Sequence, residues 1–367
     1  MNKVAPTIAR PVDAAVTDSG FSIGDRRIGP GAPCFIIAEL SANHCGSLEH
    51  ALATVRAAAE AGADAIKLQS YRADTMTIRC DRPEFTIPAN SPWAGRTLYD
   101  LYEEAHLPWE WHAPIFEEAK RRGLIAFSTP FDHTAVDLLE SLGAPLYKIA
   151  SFELVDDALI RYVAALKKPI IISTGMANLD EILHAIGLAR AAGAEQIVLL
   201  KCTSSYPAPD ESMQLATIPA LAAATGCVVG LSDHTMASVA PVVAVTLGAS
   251  VVEKHFTLSR ADGGPDSHFS LEPHEFRQLV EQVRQTERMI GEARFGPGVA
   301  EEGSIVFRRS LYVVEDVAAG EALTRANVRS IRPGNGMSPG HLDLVLGRKA
   351  TRAIARGTPL DWTHITT

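Results

Sequence analysis

Apolar runs and amphipathic stretches alternate along most of the chain. Eight runs read FIIAEL (35–40), DAIKLQS (64–70), LIAFSTP (124–130), PLYKIAS (145–151), PIIISTG (169–175), IVLLKCTS (197–204), VVGLSDH (228–234) and VVEKHF (251–256). Nearly every one ends in a polar or ionisable residue. Between them, apolar residues recur at helical spacing over 48–63, 108–123, 133–144, 154–168, 179–194, 212–226 and 236–250, and one further helix is predicted at 276–291. Pro108 and Gly123 bracket their helix as start and stop signals should. Strands that are apolar almost throughout are buried on both faces, which means a parallel sheet covered by helices. Eight such units predict an α/β fold, a (β/α)8 TIM barrel. A doubly wound open sheet is the second choice, but it calls for a glycine-rich phosphate loop after the first strand, and AELSANHCGS is not one.

The periodicity breaks in three places. The stretch 72–107 is long for a strand-to-helix connection and holds Pro83, Pro88, Pro92, Trp93, Arg72, Arg79, Arg82 and Arg96, which suits a specificity element or a lid. GEARFGPGVAEEGSI (291–305) reads as a linker. The segments after it are short and turn-rich, and VAAG and IARG hint at two related halves. The expected plan is a disordered tail over 1–20, a barrel over 21–290, the linker, and a small domain over 306–367.

Composition narrows the function class. Of 367 residues, 47% are hydrophobic and 21% charged, ordinary for a globular protein, and the net charge of −9 disfavours nucleic acid as a partner. The five cysteines, Cys34, Cys45, Cys80, Cys202 and Cys227, form no CxxC pair, so neither a structural zinc site nor a disulfide framework is expected. Cys34 and Cys202 read as plain core, and Cys45 as a remote candidate for the site. With no secretion signal and no membrane span, the expected location is the cytoplasm.

If the barrel is right, the strand ends share one mouth, where such folds place their active sites. His234 and His255 end neighbouring strands. They are either hydrogen-bonded rim residues or, together, ligands of a divalent ion of octahedral, Mn2+-like preference. Lys67 and Lys148 lie inside otherwise buried strands, a costly place for an ammonium unless it faces an anion. With hydroxyls from Thr129, Ser151, Ser173, Ser204 and Ser232, they describe a pocket for a phosphate and a carboxylate. Glu39 reads as a general base, a sugar-hydroxyl acceptor, or the partner of a rim lysine such as Lys67. Gln69 and Tyr206 are candidates for substrate hydroxyls, and Asp266 either binds substrate or caps its turn.

The strings AELSANHCGS, IKLQSY, FSTPFD, YKIASFE, ISTGM, CTSSYPAP, GLSDHT and EKHFTLSRADGGPDS resemble the sialic acid synthase family. RRSLYVVEDVAAGEALTRANVRSIRPGNG and LGRKATRAIARGTPL resemble the family's small antifreeze-like, or SAF, domain. The resemblance spans about residues 20–362. It implies condensation of phosphoenolpyruvate with an N-acetylated sugar, here a 6-deoxy amino sugar, to give a nine-carbon keto acid of bacterial surface glycans or flagellin. Carried over by motif, Lys67, Thr129, Lys148, Ser151, Ser173, Ser204 and Ser232 would hold phosphoenolpyruvate. His234 and His255 would ligate Mn2+, with Mg2+ or Co2+ as alternatives. Glu39, Gln69, Tyr206 and Asp266 would bind the sugar. Arg332 matches an arginine that one subunit inserts into its partner's site, which implies a domain-swapped homodimer. The position of Ser204 is typically Asn in the N-acetylneuraminate branch. A 6-deoxy, 4-acetamido sugar wants an apolar sub-pocket, for which Trp93, Phe152 and Met236 are candidates. The rival chemistry is a Schiff-base aldolase using Lys201 or Lys148.

Overall fold

The structure, a computed structural model, describes residues 20–88, 91 and 93–366. All but the last residue of the expected tail, and Pro92, lie outside the described residues. The chain divides into two compact units, Met1–Gly291 and Glu292–Thr367.

The first unit opens with an antiparallel hairpin, β1 (Phe21–Ile23) and β2 (Arg26–Ile28). Eight parallel strands follow: β3 (Phe35–Glu39), β4 (Ala65–Ser70), β5 (Ile125–Pro130), β6 (Tyr147–Ile149), β7 (Ile170–Ser173), β8 (Ile197–Cys202), β9 (Val228–Asp233) and β10 (Val251–His255). They close into a barrel in sequence order, with β10 pairing back onto β3. All eight predicted runs are strands of this barrel, and the open sheet is excluded by the closure.

Helices cover the outside, among them Leu48–Glu60, Trp109–Arg121, Leu179–Ala192 and Pro273–Ile290. Their starts follow local chemistry. Asn178 caps the Leu179–Ala192 helix, accepting from the Glu181 N–H at 3.0 Å, and Glu181 returns the bond.

Side-chain alternation sorts each strand into two faces. Outward-facing Ile36, Ile66, Ile172, Leu199, Leu231 and Val252 join the helix-covered cores. Inward-facing Phe35, Ile37, Phe127, Ile171, Val198, Leu200 and Val251 fill the barrel, and Phe21, Ile23 and Ile28 of the hairpin pack on them, closing the amino end. Gly230 faces inward as well. A β-carbon there would stand 2.4 Å from the Val251 carbonyl oxygen and 2.7 Å from a Leu200 methyl, so no side chain fits.

Along the same inward face, the residues nearest the carboxyl ends turn polar. The barrel is thus apolar below and ionic above. The stretch 72–107 is not an open loop. It carries short helices at Ala73–Met76 and Leu98–Ala105, and Trp93 is tied down by its indole N–H donating to the Pro265 carbonyl at 2.9 Å.

The second unit holds the antiparallel pair β11 (Ser310–Val313) and β12 (Val328–Ile331) around a core including Leu311, Val313, Leu323, Val345 and Leu360. Residues of the stretch read as linker form 3-10 turns over Val299–Phe307. The VAAG and IARG segments face each other: Val317 and Ile354 exchange two backbone hydrogen bonds of 2.9 Å. The two segments thus meet in one antiparallel bridge of this unit.

Candidate active site

Inward alternation delivers Glu39 from β3, Lys67 and Gln69 from β4, Thr129 from β5, Lys148 from β6, Ser173 from β7, Cys202 from β8, Ser232 from β9, and Glu253 and His255 from β10. His234, just past β9, and Ser151, just past β6, complete the ring.

Two ammoniums and two carboxylates form its centre. Lys67 Nζ lies 3.0 Å from Glu39 Oε2 and 2.8 Å from Glu253 Oε1. Lys148 Nζ lies 3.7 Å from the same Glu253 oxygen and donates to Ser173 Oγ at 2.7 Å. Ser232 Oγ donates to Glu253 Oε1 at 3.1 Å. All six side chains are buried. The environments push the two carboxyl groups apart. Burial and the Glu253 charge raise Glu39, against the pull of Lys67, to about 7. Burial would raise Glu253 too, but Lys148 and Lys67 hold it down at about 2. Such a split separates a group able to exchange a proton near neutrality from a permanent anion. Burial likewise lowers the Lys148 ammonium, to about 8, although Glu253 opposes it.

Beside this centre is a cradle of small groups. The Gly175 N–H donates to Ser151 Oγ at 3.0 Å. A β-carbon on Gly175 would collide with Ser204 Oγ at 2.3 Å and Ser151 Oγ at 2.7 Å, so only glycine lets these hydroxyls and the backbone meet. Thr129 Oγ1 is buried with no hydrogen-bond partner.

The two histidines come together, their ring centroids 5.4 Å apart. His234 Nδ1 is 2.9 Å from the Thr203 carbonyl, so that nitrogen carries a proton; burial works to lower the imidazole, but its hydrogen bond with the Cys202 side chain raises it above the usual range. His255 Nδ1 is sealed from solvent and has no partner. Desolvation and the charges of His234, Lys67, Lys254 and Lys148 keep the His255 ring neutral, well below the usual imidazole range. Among the described residues no three His, Cys, Asp or Glu side chains gather closely enough to form a metal site by themselves.

Above the histidines a cavity of about 400 Å3 opens. Gln69, Tyr206, His255 and Asp266 line one side. Met76, Ile87, Trp93, Leu98, Leu101 and Tyr102, all from the 72–107 stretch, line the other. Tyr206 stacks obliquely on His234 with centroids 4.3 Å apart. Asp266 accepts from the Ser41 hydroxyl, and burial raises its carboxyl above the ordinary range. Phe152 lines the cavity as expected, whereas Met236 is not among its lining residues. Arg332 belongs to the second unit, where it follows β12 and is exposed.

Three contributors carry no specific contact on the sequence reading. Glu253, a reacting group by its place in the last apolar run beside the two histidines, is the hub of the ion pairs. Glu153 lines the cavity with Oε2 buried and unpartnered, and burial pushes it up to about 7; it is the first acidic residue after the β6 end. Cys202, read as plain core, faces inward. Burial works to raise its thiol, but the His234 imidazole lowers it to about 7. Cys45 instead lines a separate cleft of about 280 Å3 with His44 and Asp262. Three strand-end residues point away from the mouth: Lys201, Asp233 and Lys254 alternate onto the outer face. Lys201 Nζ donates to the Cys202 carbonyl at 2.8 Å and to Thr203 Oγ1 at 3.2 Å.

Residues 54–295 match the model of the NeuB family, and residues 308–366 match the SAF domain. The chain belongs to the NeuB family. It is 44% identical to the pseudaminic acid synthase of Campylobacter jejuni over 326 residues, covering 89% of this chain and 95% of that one. It is 43% identical to the pseudaminic acid synthase of Helicobacter pylori, over 89% and 96% of the two chains. Among solved structures, an N-acetylneuraminic acid (sialic acid) synthetase from Leptospira borgpetersenii in complex with citrate superposes with a TM-score of 0.70 at 29% identity, over 78% of this chain and 95% of that one. No described helix is long and apolar enough to cross a membrane.

Proposed function

We propose that this NeuB chain is a pseudaminic acid synthase. It would condense phosphoenolpyruvate with 2,4-diacetamido-2,4,6-trideoxy-L-altrose and water, giving pseudaminic acid and phosphate. The observation that carries the reading is the ring of Lys67, Lys148, Glu39 and Glu253 at one barrel mouth, beside a hydroxyl cradle and under an apolar chamber. The identity to two pseudaminic acid synthases supports the choice of sugar.

Lys148, Ser151, Ser173, Ser204 and the Gly175 region would seat the phosphate, with Lys67 and Thr129 toward the carboxylate. C3 of the enol then forms a bond to the aldehyde carbon of the open-chain sugar, and positive charge develops at C2. Glu39, poised near neutrality, accepts a proton from the water that attacks C2, and that proton balances the one taken up by the former aldehyde oxygen as it becomes a hydroxyl. The tetrahedral centre loses phosphate by C–O cleavage, while Lys148 and Lys67 stabilise the departing charge. His234 and His255 suit a divalent ion such as Mn2+, because their rings stand together at the mouth and His255 keeps a buried nitrogen with no partner. Such an ion would supply Lewis-acid polarisation of the aldehyde oxygen.

The chamber suits a deoxygenated sugar. Met76, Ile87, Leu98 and Leu101 offer nothing to a hydroxyl, while a methyl group packs against them. Gln69, Glu153 and Asp266 remain for the acetamido and hydroxyl groups.

The same reading implies a homodimer with exchanged small domains. Exposed apolar side chains follow the adjacent strands β6 and β7, with Phe152 at 58%, Val155 at 65% and Met176 at 64% exposure, and these suit an interface. Use of phosphoenolpyruvate supports a cytoplasmic location.

The test measures phosphate release with the altrose derivative, its 6-deoxymannose counterpart and N-acetylmannosamine side by side, with EDTA and Mn2+ arms. Fastest turnover of N-acetylmannosamine overturns the assignment, and unchanged activity in EDTA overturns the metal role. A Schiff-base aldolase through Lys201 has no support, since that side chain faces outward. Lys148, its ammonium lowered to about 8, keeps that chemistry as a second reading, and borohydride trapping with pyruvate decides it.

A further inference from the structure

Asp233 and Lys254 are register partners on β9 and β10, and neither side chain reaches solvent. Alternation turns both away from the mouth into the layer where Leu231 and Val252 pack in aliphatic cores. Lys254 Nζ lies 2.5 Å from Asp233 Oδ2. An ion pair in such a place adds little stability over a well-packed apolar pair, so its presence asks for another reason.

The rest of its hydrogen bonding supplies one. The ammonium also donates to the Thr235 carbonyl, to Thr235 Oγ1 at 3.3 Å and to the Ala237 carbonyl at 3.4 Å. Asp233 grips the same turn: Oδ1 accepts the Thr235 N–H at 2.9 Å, and Oδ2 accepts the Thr235 hydroxyl at 3.2 Å. The residues leaving β9 are therefore stitched to β10 from behind the barrel wall. His234 stands between the stitched positions, with its ring on the opposite side. Its Nδ1 meets the Thr203 carbonyl at 2.9 Å, and its own carbonyl accepts the Ala208 N–H at 3.0 Å.

We propose that the buried Lys254–Asp233 pair is a positioning device for His234. It holds the 234–237 turn so that the imidazole keeps its place at the mouth, donating from Nδ1 to the Thr203 carbonyl. Neither residue touches substrate in this scheme. The consequence for Mn2+ binding rests on the metal reading above, but the placement of the ring does not.

The experiment compares the wild type with Asp233→Asn/Lys254→Met. That double change removes both charges and the ammonium's ties, yet the asparagine can still accept from Thr235. Its melting temperature should stay near that of the wild type. The imidazole nitrogen NMR spectrum of the metal-free protein, with His234 assigned through its loss in His234→Gln, should show one tautomer in the wild type and a mixture in the variant. Mn2+ affinity should fall roughly 10- to 100-fold, the usual cost of losing a group that orients a ligand. A folded variant that keeps the single tautomer and binds Mn2+ within twofold of wild type overturns the proposal. If the wild type itself takes up no Mn2+, only the metal reading fails, and the tautomer still decides. Should the double variant not fold, Asp233→Asn/Lys254→Gln, which also removes both charges but leaves no buried ion unpaired, carries the same two measurements.

Discussion

The Glu253 carboxylate stands 2.8 Å from the Lys67 ammonium, with the two side chains 6% and 5% exposed. The free site thus neutralises its own lysines, and an anionic substrate must compete for them. Replacing Glu253 by Gln leaves Lys67 with Glu39 alone and Lys148 without a carboxylate. Breaking a buried pair in this way costs about 3–5 kcal/mol. Chemical denaturation of Glu253→Gln should show a loss of that order. Saturating phosphoenolpyruvate should recover more stability in the variant than in the wild type. The sign with pH follows from the lowered carboxyl. The Glu253 contribution is complete above the ordinary value of 4.5 and is lost as pH falls toward about 2, so the variant should lack that acid limb. Identical denaturation curves would remove Glu253 from the centre of the site.

Lys67→Ala and Lys148→Ala should each raise the phosphoenolpyruvate KM by roughly thirtyfold or more, corresponding to about 2 kcal/mol of lost buried charge contact. Initial rates at saturating sugar check this. If neither variant moves the KM, the anion is bound elsewhere.

With Glu39 as the proposed base, the reaction should carry its own pH signature. Its carboxyl is raised to about 7, so protonation disables it as a base below that point. The kcat/KM for the sugar should therefore fall on the acid side with a midpoint near 7, and Glu39→Gln should be nearly inactive across the range. A midpoint in the ordinary carboxylate range would show that another group accepts the proton.

Trp93 closes the apolar chamber while its indole N–H is held by Pro265. Trp93→Ala should lower kcat/KM for the 6-deoxy diacetamido sugar by about tenfold, near the cost of one lost aromatic contact, and leave the phosphoenolpyruvate KM unchanged. Equal losses for the 6-deoxy sugar and N-acetylmannosamine would mean that the chamber does not discriminate.

The barrel was legible because its strands are short apolar runs and its helices carry amphipathic spacing, so period alone sorted them. Lys67, Lys148 and the two histidines stood out as ionisable residues within apolar runs. Glu253 shared that mark, but the strand-end pattern does not say which residues face inward, and it sits beside Lys254, which faces outward. One register step separates the hub of the site from a strut behind its wall. Cys202 was lost for the opposite reason, since a cysteine in an apolar strand reads as core whichever way it points. Glu153 follows β6 in a helical turn that no periodicity reveals. The chamber wall comes from a proline-rich stretch whose short helices are set by tertiary contacts, such as the bond from Trp93 to Pro265.

The hairpin of Phe21, Ile23 and Ile28 corks the lower end of the barrel. With the packed side chains of the barrel above it, a molecule bound at the mouth has no exit through that end. Phosphate released at Lys148 would sit at the bottom of a shaft with the nine-carbon acid above it, so the acid departs first and the inorganic ion last. Turnover would accordingly be throttled by added phosphate in competition with the enol substrate, an ordering imposed by an apolar floor that itself touches no reacting atom.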